Sequence, residues 1–160
     1  TTAVTLEAWI NQEQLPNSSH GDGVISVGDG SSNAGNYEFV TLSNKSIYFR
    51  LNTGNGAKFF NPTNILIDLD EWYHIVCTFD TSTTMEVYIN SVRVDTGSTT
   101  AQGQTLSTDN NIFYVGQRHV NPSGNASTFG GFISACKIYN RALSPSEVLQ
   151  NYNALKNRFI

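Results

Sequence analysis

One loop, residues 117–128, carries the side chains of this chain that are best suited to bind a polar ligand. Hydrogen-bonding groups recur along it, and they belong to Gln117, Arg118, His119, Asn121 and Asn125. Amide, guanidinium and imidazole groups donate and accept hydrogen bonds in fixed directions, which suits the hydroxyls of a sugar. An aromatic ring, from Tyr37 or Phe129, would supply the apolar face that such a ligand also needs. The sequence therefore predicts a ligand-binding loop; the alternative is an ordinary exposed loop.

Two aspartates in glycine-flanked segments, Asp22 and Asp29, are the candidate metal ligands. Calcium takes six to eight oxygen ligands, usually carboxylates and carbonyls from loops. The pattern therefore allows one structural calcium ion. The alternative is that each aspartate hydrogen-bonds its own backbone in a turn.

Catalytic carboxylates are the next chemistry to consider. A glycosidase needs two of them flanking the scissile bond. The nearest group here is Asp68, Asp70 and Glu71, which ends a predicted strand and lacks a leading glutamate. Solvated carboxylates at a strand end explain this group, and no Ser-His-Asp set is suggested, so the sequence predicts no enzyme.

Composition narrows the class of protein. The formal net charge is −4 and no basic patch is present, which argues against binding to nucleic acid. No run of about 20 apolar residues exists, so membrane insertion is not expected. The length of 160 residues predicts one domain over 1–160. Because the chain has no initiator Met and opens almost directly into a strand, we expect a domain excised or processed from a longer protein.

The elements that must position these residues are short strands. Residues 2–11 alternate apolar and polar side chains, and similar segments, among them 64–69 and 72–80, recur at short intervals. Hairpin turns are expected at Asn44-Lys45 and at Asn90-Ser91. With ten or eleven strands, the pattern predicts an all-β fold, a two-sheet antiparallel β-sandwich of the jelly-roll kind, with a short C-terminal helix.

The helix has a strong start signal at Ser144-Pro145-Ser146-Glu147. Serine at the N-cap, proline at the first helical position and glutamate three residues on predict a capping box.

Other expectations concern buried residues: Trp9 and Trp72 are predicted in the core. Cys77 and Cys136 are predicted as two free thiols, a disulfide remaining open because the distance between them is unknown.

Four segments, in the same order along the chain, resemble the laminin-G-like and pentraxin-like domains of the concanavalin A-like lectin/glucanase superfamily. They are residues 5–10, 71–80, 85–94 and 130–148, the last reading K-I-Y-N-R-A-L-S before its helix. The resemblance implies a jelly-roll lectin fold. The chain departs from the two-calcium site of the pentraxin pattern. Gly35 stands where that pattern has an acid, and Gln117 is followed by the cation Arg118 instead of by acids.

The resemblance implies a non-catalytic, lectin-like adhesion module that binds a glycan or a host-surface ligand. Similar domains occur in phage structural proteins and bacterial surface proteins, which implies an extracellular, cell-surface or virion location, with neighbouring subunits of a larger assembly as partners. The alternative is a structural or assembly domain, decorating a capsid or tail, that binds no sugar. A glucanase fragment is the third interpretation.

Overall fold

The alternating apolar residues of the chain build two antiparallel sheets of five strands each. The computed structural model describes residues 2–17, 21–28, 37–53, 56–60, 65–80, 85–96, 112–118 and 128–160. Within these ranges the strands are β1 Ala3–Gln12, β2 Asp22–Gly28, β3 Tyr37–Thr41, β4 Ile47–Thr53, β5 Gly56–Phe60, β6 Trp72–Asp80, β7 Glu86–Ile89, β8 Val92–Thr96, β9 Ile112–Val115 and β10 Gly131–Tyr139. The predicted all-β sandwich is confirmed.

Sheet A has the strand order β10-β1-β6-β7-β8, so the first strand lies between the last strand and β6. The β1–β10 register shifts between Glu7 and Trp9, and Ala135 on β10 has a positive φ of 47° there. Such a bulge bends the edge of a sheet and increases its twist. Sheet B has the order β5-β4-β3-β2-β9.

The core lies between the two sheets. From sheet A it takes the even-numbered side of β1, including Leu6, Ala8 and Ile10. From sheet B it takes Phe39 and Phe49, whose rings stack with centroids 4.6 Å apart. Alternation along each strand leaves the opposite side chains on the outer faces of the sheets.

The C-terminal helix, α1 Pro145–Leu155, covers part of the outer face of sheet A and runs into a 3₁₀ turn, Lys156–Arg158. The predicted capping box is present, because the Ser144 hydroxyl accepts from the Glu147 N–H and the Glu147 carboxylate accepts from the Ser144 N–H. Trp9, fully buried on this face, stacks on Tyr152 and Phe159, with centroids 5.7 and 4.6 Å away.

Two local expectations were wrong and one needs adjustment. Residues 65–69 form no extended strand; Leu66 makes only an isolated bridge to Ser46. Strand β5 was not among the strands predicted from the sequence. Trp72 is half-buried rather than a core residue, and it packs on Phe159.

Other expectations hold. The hairpin turn at Asn90-Ser91 has positive φ at both residues, 49° and 67°, as a two-residue turn of this kind requires. Cys77 and Cys136 are both free thiols, and burial raises the pKa of each.

Candidate functional site

A row of polar side chains crosses the outer face of sheet B. Tyr114 on β9 lies opposite Ser26 on β2, Ser26 lies opposite Glu38 on β3, and Glu38 lies opposite Arg50 on β4. Directly opposed residues in antiparallel strands share one face of the sheet and lie side by side. We call this row, together with Tyr48 and Arg118, the polar face.

An ion pair stands at the centre of the polar face. Arg118 donates from Nε to Oε1 of Glu38 at 3.2 Å and from Nη2 to Oε2 at 3.0 Å. The Glu38 side chain is fully buried, whereas 17% of the Arg118 side chain remains exposed. A two-point bond of this kind fixes the plane of the guanidinium group. The pair therefore presents Arg118 in one orientation at the surface of the face.

An aromatic ring lies beside these charges. Tyr48 is two residues before Arg50 on β4, so both point to the outer side. Burial raises the pKa of Tyr48, while the nearby charges of Arg50, Glu38 and Arg118 act on it in opposing directions. The polar face thus combines two phenol rings, two guanidinium groups and a carboxylate within one region.

The residues that directly follow β9, Gly116 and Gln117, pack against β2. Gln117 and Gly23 each form an isolated bridge with Thr128, and the Gly116 N–H donates to the Val24 carbonyl at 3.0 Å. A Cβ atom at Gly23 would overlap the backbone of Gln117 and Arg118. Only glycine allows this approach, which carries Arg118 onto the polar face.

The structure brings only some of the predicted ligand residues together. Gln117 and Arg118 lie at the base of the loop, next to the polar face. Tyr37 lies on the other side of β3, where it packs against the core and where burial raises its pKa. His119, Asn121, Asn125 and the candidate metal ligand Asp29 lie outside the described residues, so they remain predictions.

Five residues of the polar face were missed in the sequence: Ser26, Glu38, Tyr48, Arg50 and Tyr114. The signal was present, because Glu38 stands between Tyr37 and Phe39 in an otherwise apolar strand. Tyr48 and Arg50 likewise alternate with the core residues Ile47, Phe49 and Leu51, which is the period of two expected of a strand with one buried face.

A second charged cluster lies on the outer face of sheet A, beneath α1. The fully buried Glu7 carboxylate accepts from Lys137 Nζ at 2.9 Å, Tyr139 OH at 3.2 Å and Asn151 Nδ2 at 2.7 Å. His74 Nε2 lies 3.3 Å from Glu7 Oε1. Burial disfavours the charged form of Glu7, but its contacts with His74 and Lys137 outweigh this and hold its pKa below the usual value. The cluster ties β1, β6 and β10 to the helix.

The described residues of each cluster include one carboxylate, whereas glycoside hydrolysis in most such enzymes uses two. Among the described residues, no group of three or more His, Cys, Asp or Glu side chains is arranged to hold a metal ion.

The two-sheet sandwich and a match to a family model define the class of the protein. A family model described as the concanavalin A-like lectin/glucanases superfamily matches residues 1–149. The chain belongs to this superfamily. No curated protein sequence matches it.

Solved structures with the same fold include three instructive examples. A heptameric SAP-like pentraxin from Limulus polyphemus is 18% identical, with a TM-score of 0.65 over 92% of this chain and 68% of the pentraxin chain. The botulinum neurotoxin serotype G binding domain is 18% identical, with a TM-score of 0.67 over 96% of this chain and 36% of its own. A putative carbohydrate-binding protein from Bacteroides ovatus is 16% identical, with a TM-score of 0.71 over 93% and 40%.

The chain is similar in fold to these proteins, and it spans well under half the length of the last two. No helix in the described part of the chain is long and apolar enough to cross a membrane.

Proposed function

We propose that this chain is a non-catalytic, lectin-like binding module whose ligand is a glycan, held at the polar face beside Arg118. The observation that carries the proposal is the bidentate Glu38–Arg118 pair, with donor–acceptor distances of 3.2 and 3.0 Å. A guanidinium held in one plane can donate to sugar hydroxyls without first losing conformational freedom. The Tyr48 ring supplies an apolar surface beside it.

Two comparisons support the binding class. One structural neighbour is described as a putative carbohydrate-binding protein and another as the binding domain of a neurotoxin. The single carboxylate of each charged cluster supports a role without catalysis. A module of this kind would act outside a cell, on a cell surface or on a virion, as part of a larger assembly.

A second candidate function is that of an assembly domain, which contacts neighbouring subunits and binds no sugar. It is favoured by strand β9, where Ile112, Phe113 and Val115 are 58%, 49% and 49% exposed. Apolar residues on an edge strand are suited to contact with another protein.

The experiment that tests the glycan proposal is a glycan array probed with the folded protein, in calcium and in EDTA. We expect binding to a defined set of glycans. The variant Arg118→Ala should weaken binding by about tenfold or more, because a charged hydrogen bond to the ligand is lost.

The matched control is Arg93→Ala. Arg93 also pairs with a glutamate, Glu86, but it lies on strand β8 of sheet A. This control should bind like the wild type, and Arg118→Lys should fall between the two because it keeps the charge without the fork. Absence of glycan binding by the folded wild type would reject the proposal in favour of the assembly domain.

A further inference from the structure

A buried amide without a partner lies on the outer face of sheet A, where β1 ends. Asn11 is 9% exposed, and within the described part of the chain its Oδ1 atom accepts no hydrogen bond. A buried polar atom is costly unless a donor satisfies it, so such an atom in a folded protein calls for an explanation. A hydroxyl group from a bound molecule is one donor that would satisfy Oδ1.

Two aromatic residues stand on either side of Asn11. The strand register places Asn11 directly opposite Phe132 on β10 and directly opposite Trp72 on β6. Directly opposed residues share one face of a sheet. Neighbouring strands lie about 4.8 Å apart, so the two aromatic side chains start about 10 Å from each other. We call these three residues, Phe132, Asn11 and Trp72, the aromatic row.

The aromatic row retains exposed apolar surface. Phe132 is 56% exposed. Trp72 is half-buried, because its ring packs on Phe159 with centroids 4.5 Å apart and planes inclined by 41°. The asparagine side chain is shorter than either aromatic side chain, so the row has an amide floor between two rings.

The backbone holds the aromatic row in place. The Asp70 N–H donates to the Gln12 carbonyl at 2.9 Å, which ties the segment before Trp72 to the end of β1. A Cβ atom at Gly131 would overlap the Asn11 carbonyl oxygen, so β10 lies close against β1 immediately before Phe132. A site whose parts are already positioned loses less conformational freedom when it binds a ligand.

The chemistry of the aromatic row matches that of a sugar ring. A pyranose has C–H groups on its faces, which pack against aromatic rings, and hydroxyls around its rim, which an amide oxygen can accept from. A purely apolar ligand, such as a lipid chain, would leave the Asn11 oxygen without a partner. None of the three side chains is charged, so recognition here does not require a charged group on the sugar.

We propose that the aromatic row is a second carbohydrate site, which takes a neutral pyranose unit of a glycan. The row lies on a different sheet from the polar face, so the two sites can be tested separately. It is also on a different sheet from Asp22, a buried residue at the start of β2 whose role as a metal ligand stays a prediction.

The test is a titration of the whole chain with neutral oligosaccharides of glucose, galactose, mannose and N-acetylglucosamine, followed by tryptophan fluorescence. The chain has two tryptophans, of which Trp9 is fully buried and Trp72 belongs to the row. Neither lies on sheet B, so a sugar at the polar face would not contact them. We expect a saturable change in emission with at least one sugar, and Trp72→Phe, which keeps a ring, should remove this change.

Two further variants test the other members of the row. Phe132→Ala should weaken binding by about tenfold, because an exposed ring that contacts the sugar is lost. Asn11→Ala should weaken it by about fivefold, the effect of one hydrogen bond. Ile112→Ala is the matched control, since Ile112 is 58% exposed and also lies on an edge strand, but on sheet B. Thermal unfolding confirms that each variant is folded.

Each outcome either supports the second site or overturns it. A saturable response that is weakened in Phe132→Ala and Asn11→Ala, and kept in Ile112→Ala and Arg118→Ala, supports it. The proposal is overturned if no sugar changes the emission, if Phe132→Ala binds as tightly as the wild type, or if Arg118→Ala alone abolishes the response. An emission that changes with protein concentration and not with sugar would assign the row to self-association, and it would also overturn the proposal.

Discussion

At the scale of single residues, the polar face is organised by a fully buried charge, Glu38, paired with a largely buried one, Arg118. Removing two charges from water is costly, so a buried ion pair contributes little net stability. Its geometric effect is larger: the Glu38 carboxylate dictates how Arg118, three residues beyond β9, is presented. We therefore interpret the pair as a positioning device for a ligand-binding guanidinium.

Gly23 provides a residue-scale test of this arrangement. Gly23→Ala should destabilise the protein by about 2 kcal/mol, because the new Cβ overlaps the backbone that leads into Arg118. Gly116→Ala is the comparison, since its nearest atom would be Ile133 Cδ1 at 3.8 Å. Gly116→Ala should lower the free energy of unfolding by only about 1 kcal/mol, because the φ of Gly116 is positive. Urea unfolding of both variants checks the order; a smaller loss for Gly23→Ala than for Gly116→Ala would contradict it.

At the scale of elements, the C-terminal helix is attached to sheet A by aromatic stacking and by the buried Glu7 cluster. The ring of Trp9 contacts both Tyr152 and Phe159, while Asn151 reaches the Glu7 carboxylate. The helix and its 3₁₀ turn thus cover a face whose charged and aromatic side chains would otherwise be open to water.

This attachment should depend on pH through Glu7. Its folded-state pKa is below the usual value of 4.5, so its stabilising contribution is complete above about pH 4.5 and is lost as the pH falls through the folded pKa. At neutral pH, Glu7→Gln should cost about 3 kcal/mol, because Lys137 loses its buried partner.

Thermal unfolding of the wild type and Glu7→Gln between pH 2 and 7 gives the measurement. The two stabilities should converge as the pH falls. Glu147, whose pKa is lowered to about 2 by Arg141 and Ser144, also contributes to acid unfolding, so Glu147→Gln is the necessary control. A difference between wild type and Glu7→Gln that stays constant down to pH 2 would contradict the role of Glu7.

A feature of the structure could be predicted from the sequence where the residues that form it are neighbours in the chain. The helix start was predicted because four consecutive residues make all of its capping bonds. The polar face was not, because Glu38 and Arg118 are 80 residues apart and meet only through strand pairing. Strand β5 was missed for the same reason: it is defined by its pairing with β4 more than by its own composition.

At the scale of the whole molecule, the edge strands of the two sheets differ in how well they are protected from pairing with another chain. The described sheets end in β10 and β8, and in β5 and β9. Strand β10 has a bulge and a lysine, β8 has Arg93 and Asp95, and β5 has Lys58. Strand β9, Ile112–Val115, has no charge, and natural edges are commonly protected by charge or distortion.

We therefore expect β9 to set the tendency of the protein to self-associate. Ile112→Lys should reduce association at high concentration while changing the free energy of unfolding by less than about 0.5 kcal/mol, since Ile112 is exposed. Val92→Lys is the control. Val92 is similarly exposed and lies in the hairpin between β7 and β8, so this variant adds the same charge away from β9. Sedimentation velocity should show a change for the first variant alone; equal effects of both would assign it to net charge.

The position of β1 in the middle of sheet A has a consequence for synthesis. Its partner on one side, β6, ends at Asp80, but its partner on the other, β10, ends only at Tyr139. A chain emerging from the ribosome can form the β2–β3–β4–β5 meander early. Until the last strand emerges, β1 keeps one open edge, with Trp9 and Glu7 uncovered. Completion of sheet A is therefore a late event in translation, and a nascent chain stalled before β10 would be the form most in need of a chaperone.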